Sequence, residues 1–237
     1  FFEEKKIASF SNYDYLPTAL AKIISYQNII LNNQNISKPI DILSSSFNQA
    51  KIKDIVINAS GKFINLIDSM EVITQSGIPT VGIQLVESRD SLITKAEELG
   101  YPVVVKIASD KITHKTDVKG VIPNIQNQEE LLLAYAKVAQ ITNSQQCLVQ
   151  KMVKGYELIA GVKRDPNFGI LVLVGIGGIY AELLKETVNF VYPFNYAYFE
   201  KKIQQSKIKA FCEGFRGLPP LNIKELYLVA ERLGYLT

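Results

Sequence analysis

Residues 100–121 read GYPVVVKIASDKITHKTDVKGV, and the fold is decided there. The run from Pro102 to Ile107 reads as a buried β-strand, yet it carries a lysine, Lys106, among its valines. An ammonium in that position is costly to bury unless it meets an anion, and a phosphate is the obvious candidate. The alternative is an edge-strand lysine whose long stem delivers its charge to solvent. From Ser109 to Val121 the apolar pattern gives way to hydroxyls, charges and a glycine. Such loops let backbone N–H groups approach phosphate oxygens, and Gly120 admits conformations that other residues resist.

Upstream, helical spacing over Phe63 to Gln75 ends at Gly77, Ile78 to Gln84 reads as a strand, and Asp90 to Leu99 reads as a charged amphipathic helix closed by Gly100. The order helix, strand, helix, strand points to an α/β fold. Downstream, a turn and a strand are expected within Ile112 to Ile125, a helix over Gln128 to Ile141, and a strand over Cys147 to Met152. Two more strands, Glu157 to Val162 and Phe168 to Val174, flank the turn Arg164-Asp165-Pro166-Asn167, whose Pro and Asn suit such a turn. Tyr198 to Phe211 and Ile223 to Leu233 read as helices around the loop Gly214 to Pro220. At the N-terminal end, Tyr15 to Leu31 has the pattern of an amphipathic helix opened by Pro17. Asn32 to Lys53, rich in Asn, Gln and Ser, reads as a linker.

Composition narrows the function classes. The chain of 237 residues, 47% hydrophobic and 21% charged, is long enough for one large or two modest domains. Its longest apolar run, Ile170 to Tyr180, is interrupted by three glycines and is far shorter than the roughly 20 residues of a membrane helix, so no membrane partner is expected. Twenty-six basic and 23 acidic residues, mixed along the chain for a net charge of +3, form no basic stripe, so no nucleic-acid partner is expected either. Cys147 and Cys212 fit no zinc spacing and build no disulfide framework, which points to reduced thiols and a cytoplasmic location. The chain begins at Phe1 and is expected to be a piece of a longer protein.

The strand lysine followed by His114-Lys115-Thr116-Asp117 and then Lys119-Gly120-Val121 resembles the ATP-grasp part of ADP-forming acyl-CoA synthetases, including ADP-forming acetate–CoA ligase. The likeness continues in order through Gly77-Ile78-Pro79, Val149-Gln150-Lys151-Met152, Gly155, Glu157, Asp165-Pro166-Asn167-Phe168-Gly169, Gly175-Ile176-Gly177-Gly178, Glu182, Pro193 and Gly214-Phe215-Arg216-Gly217. It covers about residues 61–237. Residues 1–60 resemble, less specifically, the tail of a preceding CoA-ligase region and its linker.

The resemblance implies a mixed α/β ATP-grasp fold with two subdomains, ATP or ADP as substrate, and Mg²⁺. It also implies CoA-binding and phosphohistidine domains elsewhere in the chain or on a partner subunit. Lys106 and Gly120 would lie at nucleotide phosphates, Gln150 and Met152 at the adenine, Glu157 at ribose or metal, and Gly177 and Gly178 near phosphate or metal. Asp165 and Glu182 would ligate magnesium, a hard cation that prefers oxygen donors. His114 would be a transient phosphoryl acceptor, since neutral imidazole is a competent nucleophile. Lys115 would stabilise the phosphorylated state, and Arg216 would neutralise charge on the transferred group.

Two positions depart from the family pattern. Lys119 stands where the first glycine of a pair is usual, adding a long cation where close backbone approach is expected. Glu186 stands where aspartate is usual, and the added methylene moves a carboxylate by about 1.5 Å. These departures favour an alternative: a regulatory or scaffold ATP-grasp module without turnover, of the kind fused to protein acetyltransferase domains. A carboxylate ligase of another ATP-grasp family is a third reading, opposed by the His-Lys-Thr-Asp run.

Overall fold

A computed structural model describes residues 15–33, 47–59, 64–108, 120–178 and 186–237. The strand carrying Lys106 is the centre of its architecture. β2 (Val103–Ile107) alternates buried Val103, Val105 and Ile107 with half-buried Val104 and Lys106. It lies inside a four-stranded sheet ordered β1 (Ile83–Val86), β4 (Cys147–Lys151), β2, β3 (Val121–Ile125), with every neighbouring pair antiparallel. One face of this sheet packs on two helices, α4 (Arg89–Leu99) and α5 (Gln128–Thr142), through Leu92 and Ala96 of α4 and Leu131, Ala134 and Val138 of α5. The apolar residues of α5 recur at the spacing of one helical face. Each helix begins at a side-chain cap. Ser88 and Ser91 form a reciprocal capping box on α4, and Asn127 accepts from the Glu130 amide at 2.9 Å on α5.

Antiparallel partners share a face, so the register assigns the other face without further assumption. Val104 and Lys106 stand opposite Gln150 and Leu148, which stand opposite Ile83 and Leu85, while Val121 stands opposite Lys106. Among the described residues no helix of the first core covers this face, which is open in that sense although Leu148 on it is buried. Lys106, half-buried, lies on this open side.

The second sheet is a meander of β5 (Leu158–Asp165), β6 (Gly169–Ile176) and β7 (Thr187–Val191). Its buried face, with Val172, Val174 and Phe190, packs on α6 (Tyr196–Gln204) and α8 (Ile223–Tyr235) around an aromatic cluster. In that cluster the Phe190 ring stacks on Phe199 at 4.7 Å. A short α7 (Lys209–Cys212) precedes the loop before α8.

Three sequence expectations change. The segment expected as linker, Asn32 to Lys53, is helical from Gln49: α2 (Gln49–Asn58) buries Ile52, packs on α3 (Leu66–Gln75), and is joined to it by a Lys51–Glu71 ion pair. The aromatic edge of Phe47 meets the Tyr235 ring at 4.8 Å, tying α2 to the end of the chain. The single helix expected over Tyr198 to Phe211 is two, because Ser206 interrupts it by bonding the Ile203 carbonyl and accepting the Ile208 amide. Strand β7 was not anticipated. The helix expected near Tyr15 is present as α1 (Tyr15–Asn33). Among the described residues no helix is long and apolar enough to cross a membrane.

Candidate functional site: a tethered lysine and two stitched loops

The Lys106 ammonium donates to Gln150 Oε1 at 2.8 Å, and Gln150 Nε2 donates to the Val81 carbonyl at 2.6 Å. The amide thus holds the lysine from one side while anchored to the chain entering β1. Immediately beyond Lys106, the Ile107 amide donates to the Gly120 carbonyl at 2.9 Å, and Gly120 is buried. His114 and Lys115 fall between those two points in sequence and lie outside the described residues.

Strand alternation sends the next residue after Gln150 the other way. Lys151 donates to the carbonyls of Gly100 and Tyr101, the latter at 3.1 Å, where α4 ends. A cation suits a helix C-terminus. Met152 donates its amide to the Pro102 carbonyl at 3.0 Å, and its sulfur accepts from the Asn124 amide at 3.1 Å. Gln150 is therefore the residue of this segment that shares the open face with Lys106, while Met152 closes the ends of β2 and β3.

The connector from β4 to β5 builds the second part of the site. The Glu157 carbonyl accepts from the Gly177 amide at 2.8 Å. A Cβ on Gly177 would come to 3.0 Å from the carbonyl carbons of Glu157 and Leu158, and one on Gly178 would fall inside the Glu157 carboxylate. Gly178 also has φ +67°, in the left-handed region. These glycines are there because Glu157 lies against them. One residue earlier, the Tyr156 hydroxyl accepts from the Phe215 amide at 2.7 Å and donates to the Leu218 carbonyl at 3.2 Å. Between those contacts sits Arg216, exposed, with φ 51° and its guanidinium 5.2 Å from the Phe215 ring centroid. Adjacent residues thus tie to two loops, Tyr156 to the Arg216 turn and Glu157 to the glycine loop.

The remaining carboxylates are placed differently. Asp165 ends β5 at the hairpin tip, where Oδ1 accepts from the Asn167 and Phe168 amides at 3.0 and 3.2 Å. Those backbone bonds, with Lys163 nearby, hold its carboxyl below the usual range. Leu158 pairs with Ile176 and Asp165 with Gly169, so Asp165 and Glu157 are at opposite ends of the hairpin, roughly 26 Å apart at strand rise. Glu186 accepts from the Lys207 amide at 3.3 Å and faces the Lys207 ammonium at 3.4 Å. Glu182 lies outside the described residues. Among the described residues no three acidic, histidine or cysteine side chains group closely enough to hold a metal. Glu157 nevertheless offers hard oxygen donors beside a glycine cradle, a donor type suited to Mg²⁺.

Two features escaped sequence reasoning. Tyr156 gave no signal, because its partners are some 59 to 62 residues away. The Gln150 tether to Val81 spans 69 residues.

Comparison with known proteins identifies the family. A family model described as an ATP-grasp domain matches residues 56–237. The beta subunit of acetate–CoA ligase (ADP-forming) I from Pyrococcus furiosus is 32% identical over 79% of this chain and 85% of its own length. The 4-hydroxybutyrate–CoA ligase (ADP-forming) of Nitrosopumilus maritimus is 34% identical over 84% of this chain, which spans only 30% of that longer protein. A solved structure of acetyl-coenzyme A synthetase 1 from Candidatus Korarchaeum cryptofilum superposes with a TM-score of 0.66 and 30% identity, covering 78% of this chain and 84% of that one. It is described as a complex with coenzyme A and Mg-AMPPCP, its phosphohistidine segment pointing towards the nucleotide-binding site. On the strength of the family match and of these relatives, the chain belongs to the ATP-grasp domain family, in the branch found in ADP-forming acyl-CoA synthetases.

Proposed function

We propose that this chain is the nucleotide-handling module of an acid–CoA ligase that couples acyl-CoA, ADP and phosphate to acid, ATP and CoA. The observation that carries the proposal is the placement of Lys106: a cation on the open face of the sheet, steered by Gln150. Such a group is suited to neutralise nucleotide phosphates, the part of phosphoryl transfer that falls to positioning and charge. The adenine would lie along Gln150 to Met152, and Gly120 would bring backbone N–H groups towards phosphate.

Bound Mg²⁺ would supply positive charge to offset that of the nucleotide phosphates. Glu157 and Glu182 are assigned as its protein ligands, and Asp165, engaged in its turn, is assigned to shaping the hairpin. Arg216 would approach the transferred group from the turn beside Glu157. His114 would accept a phosphoryl group in transit, with Lys115 offsetting its charge. The CoA-binding and phosphohistidine domains would come from the rest of a longer chain or from a partner subunit, in the cytoplasm, where the two free cysteines need no oxidation.

Magnesium titration of ADP binding tests the metal assignment. Glu182→Gln is expected to remove most of the Mg²⁺ enhancement of ADP affinity, and Asp165→Asn is expected to leave it intact. The reverse order would overturn the assignment.

A further inference from the structure

We infer that Tyr156 is a positioning residue that fixes the Arg216 turn to the connector that carries Glu157. The inference rests on the nucleotide reading above for the purpose of the turn, and on the structure for its construction.

The turn Phe215–Leu218 closes through a Leu218 amide to Phe215 carbonyl bond of 3.1 Å. Its two central residues both have positive φ, 51° at Arg216 and 77° at Gly217. Glycine accepts that conformation freely, while arginine does so only where the surroundings hold it. Phe215, Arg216 and Gly217 are all exposed, and the Phe215 ring makes a tilted contact with Phe211 at 6.1 Å. Among the described residues the side-chain hydrogen bonds to the turn's main chain come from one hydroxyl. Tyr156 receives the amide at the start of the turn and gives its proton to the carbonyl at the end, so both ends are clamped by the same atom.

The clamp itself is fixed. The Tyr156 ring stacks on Phe211 at 4.5 Å with an interplanar angle of 10°. The Phe211 carbonyl in turn accepts from the Gly214 and Leu221 amides at 3.2 and 2.8 Å, so the ring rests on the base of the same loop. On the other side, Tyr156 is bonded through the main chain to Glu157, whose carbonyl and carboxylate abut the glycine loop. A single dipeptide therefore joins the two loops that nucleotide phosphates would contact. The backbone of Arg216 is thereby fixed before any ligand reaches Glu157 and Gly178.

Tyr156→Phe deletes the hydroxyl and keeps the stacked ring. In the unliganded chain, trypsin cleavage at the Arg216–Gly217 bond is expected to accelerate about three- to tenfold, the scale of one lost net hydrogen bond. Cleavage after Arg89 serves as internal control. Mg-ADP affinity is expected to fall by a similar factor, and that fall is expected to vanish in an Arg216→Ala background. Unchanged cleavage and affinity would overturn the inference. An equal fall in affinity with Arg216 already removed would also overturn it, since Tyr156 would then act elsewhere. If the wild-type chain binds no Mg-ADP while Tyr156→Phe still releases the turn, the positioning role stands and the nucleotide reading falls.

Discussion

Lys106 occupies a strand whose other side is fully apolar, and its position is sustained by alternation: the residues flanking it face the helices while its own stem crosses the open face. Gln150 Oε1 fixes where the ammonium sits on that face. Gly178 is the second residue on which the site depends. Gly178→Ala is expected to cost both a left-handed backbone, roughly 1–2 kcal/mol, and a collision with Glu157. Gly169→Ala provides the reference, because Gly169 has φ +76° with no atom near its missing Cβ. Denaturant midpoints should fall in both variants and further in Gly178→Ala, and only Gly178→Ala should lose Mg-ADP affinity. Equal losses in the two would show that the Glu157 contact is immaterial.

At the scale of elements, legibility followed the range of the interactions. β2, α4 and α5 were readable because their apolar spacing and caps are local. The glycine loop and Lys106 were readable for the same reason, as residue types out of place in their segments. β7 was missed: its five residues TVNFV are few, pair only with β6, and bury only Phe190 of the five. α2 was masked by its polar composition and holds through Ile52 and a partner helix. The Tyr156 clamp and the Gln150 tether were invisible, since no sequence pattern announces a hydrogen bond across dozens of residues. Element ends carry measurable energy as well. Asn222 caps α8 by accepting from the Lys224 and Glu225 amides at 3.1 and 3.4 Å. Asn222→Ala should lower stability by about 1 kcal/mol in denaturant unfolding. No change would mean that packing alone sets the start of α8.

At the scale of the whole molecule, two cores with different tolerances are joined by the connector that carries Tyr156 and Glu157. The buried residues of the first are aliphatic apart from Cys147, whose thiol burial pushes up to about 12, with Tyr101 and Tyr135 packed at its edge. The second encloses Glu231, 6% exposed, with one carboxylate oxygen lacking a hydrogen-bond partner among the described residues. Burial raises its pKa above the ordinary 4.5, with Tyr227 and Arg232 opposing the rise. A carboxyl with a raised folded-state pKa contributes stability that is fully present below the unfolded value and is lost as pH climbs through the folded one. Glu231→Gln should therefore gain on the wild type between pH 4 and pH 8 in unfolding free energy. A gap that does not change with pH would mean that Glu231 stays solvated. The central claim is that the open sheet face beside Lys106 receives nucleotide phosphates, and calorimetric titration of the chain with Mg-ADP tests it most directly. Micromolar-range binding by the wild type, abolished in a folded Lys106→Ala variant, is the expected result. Equal binding by both, or none by the folded wild type at millimolar nucleotide, would contradict it.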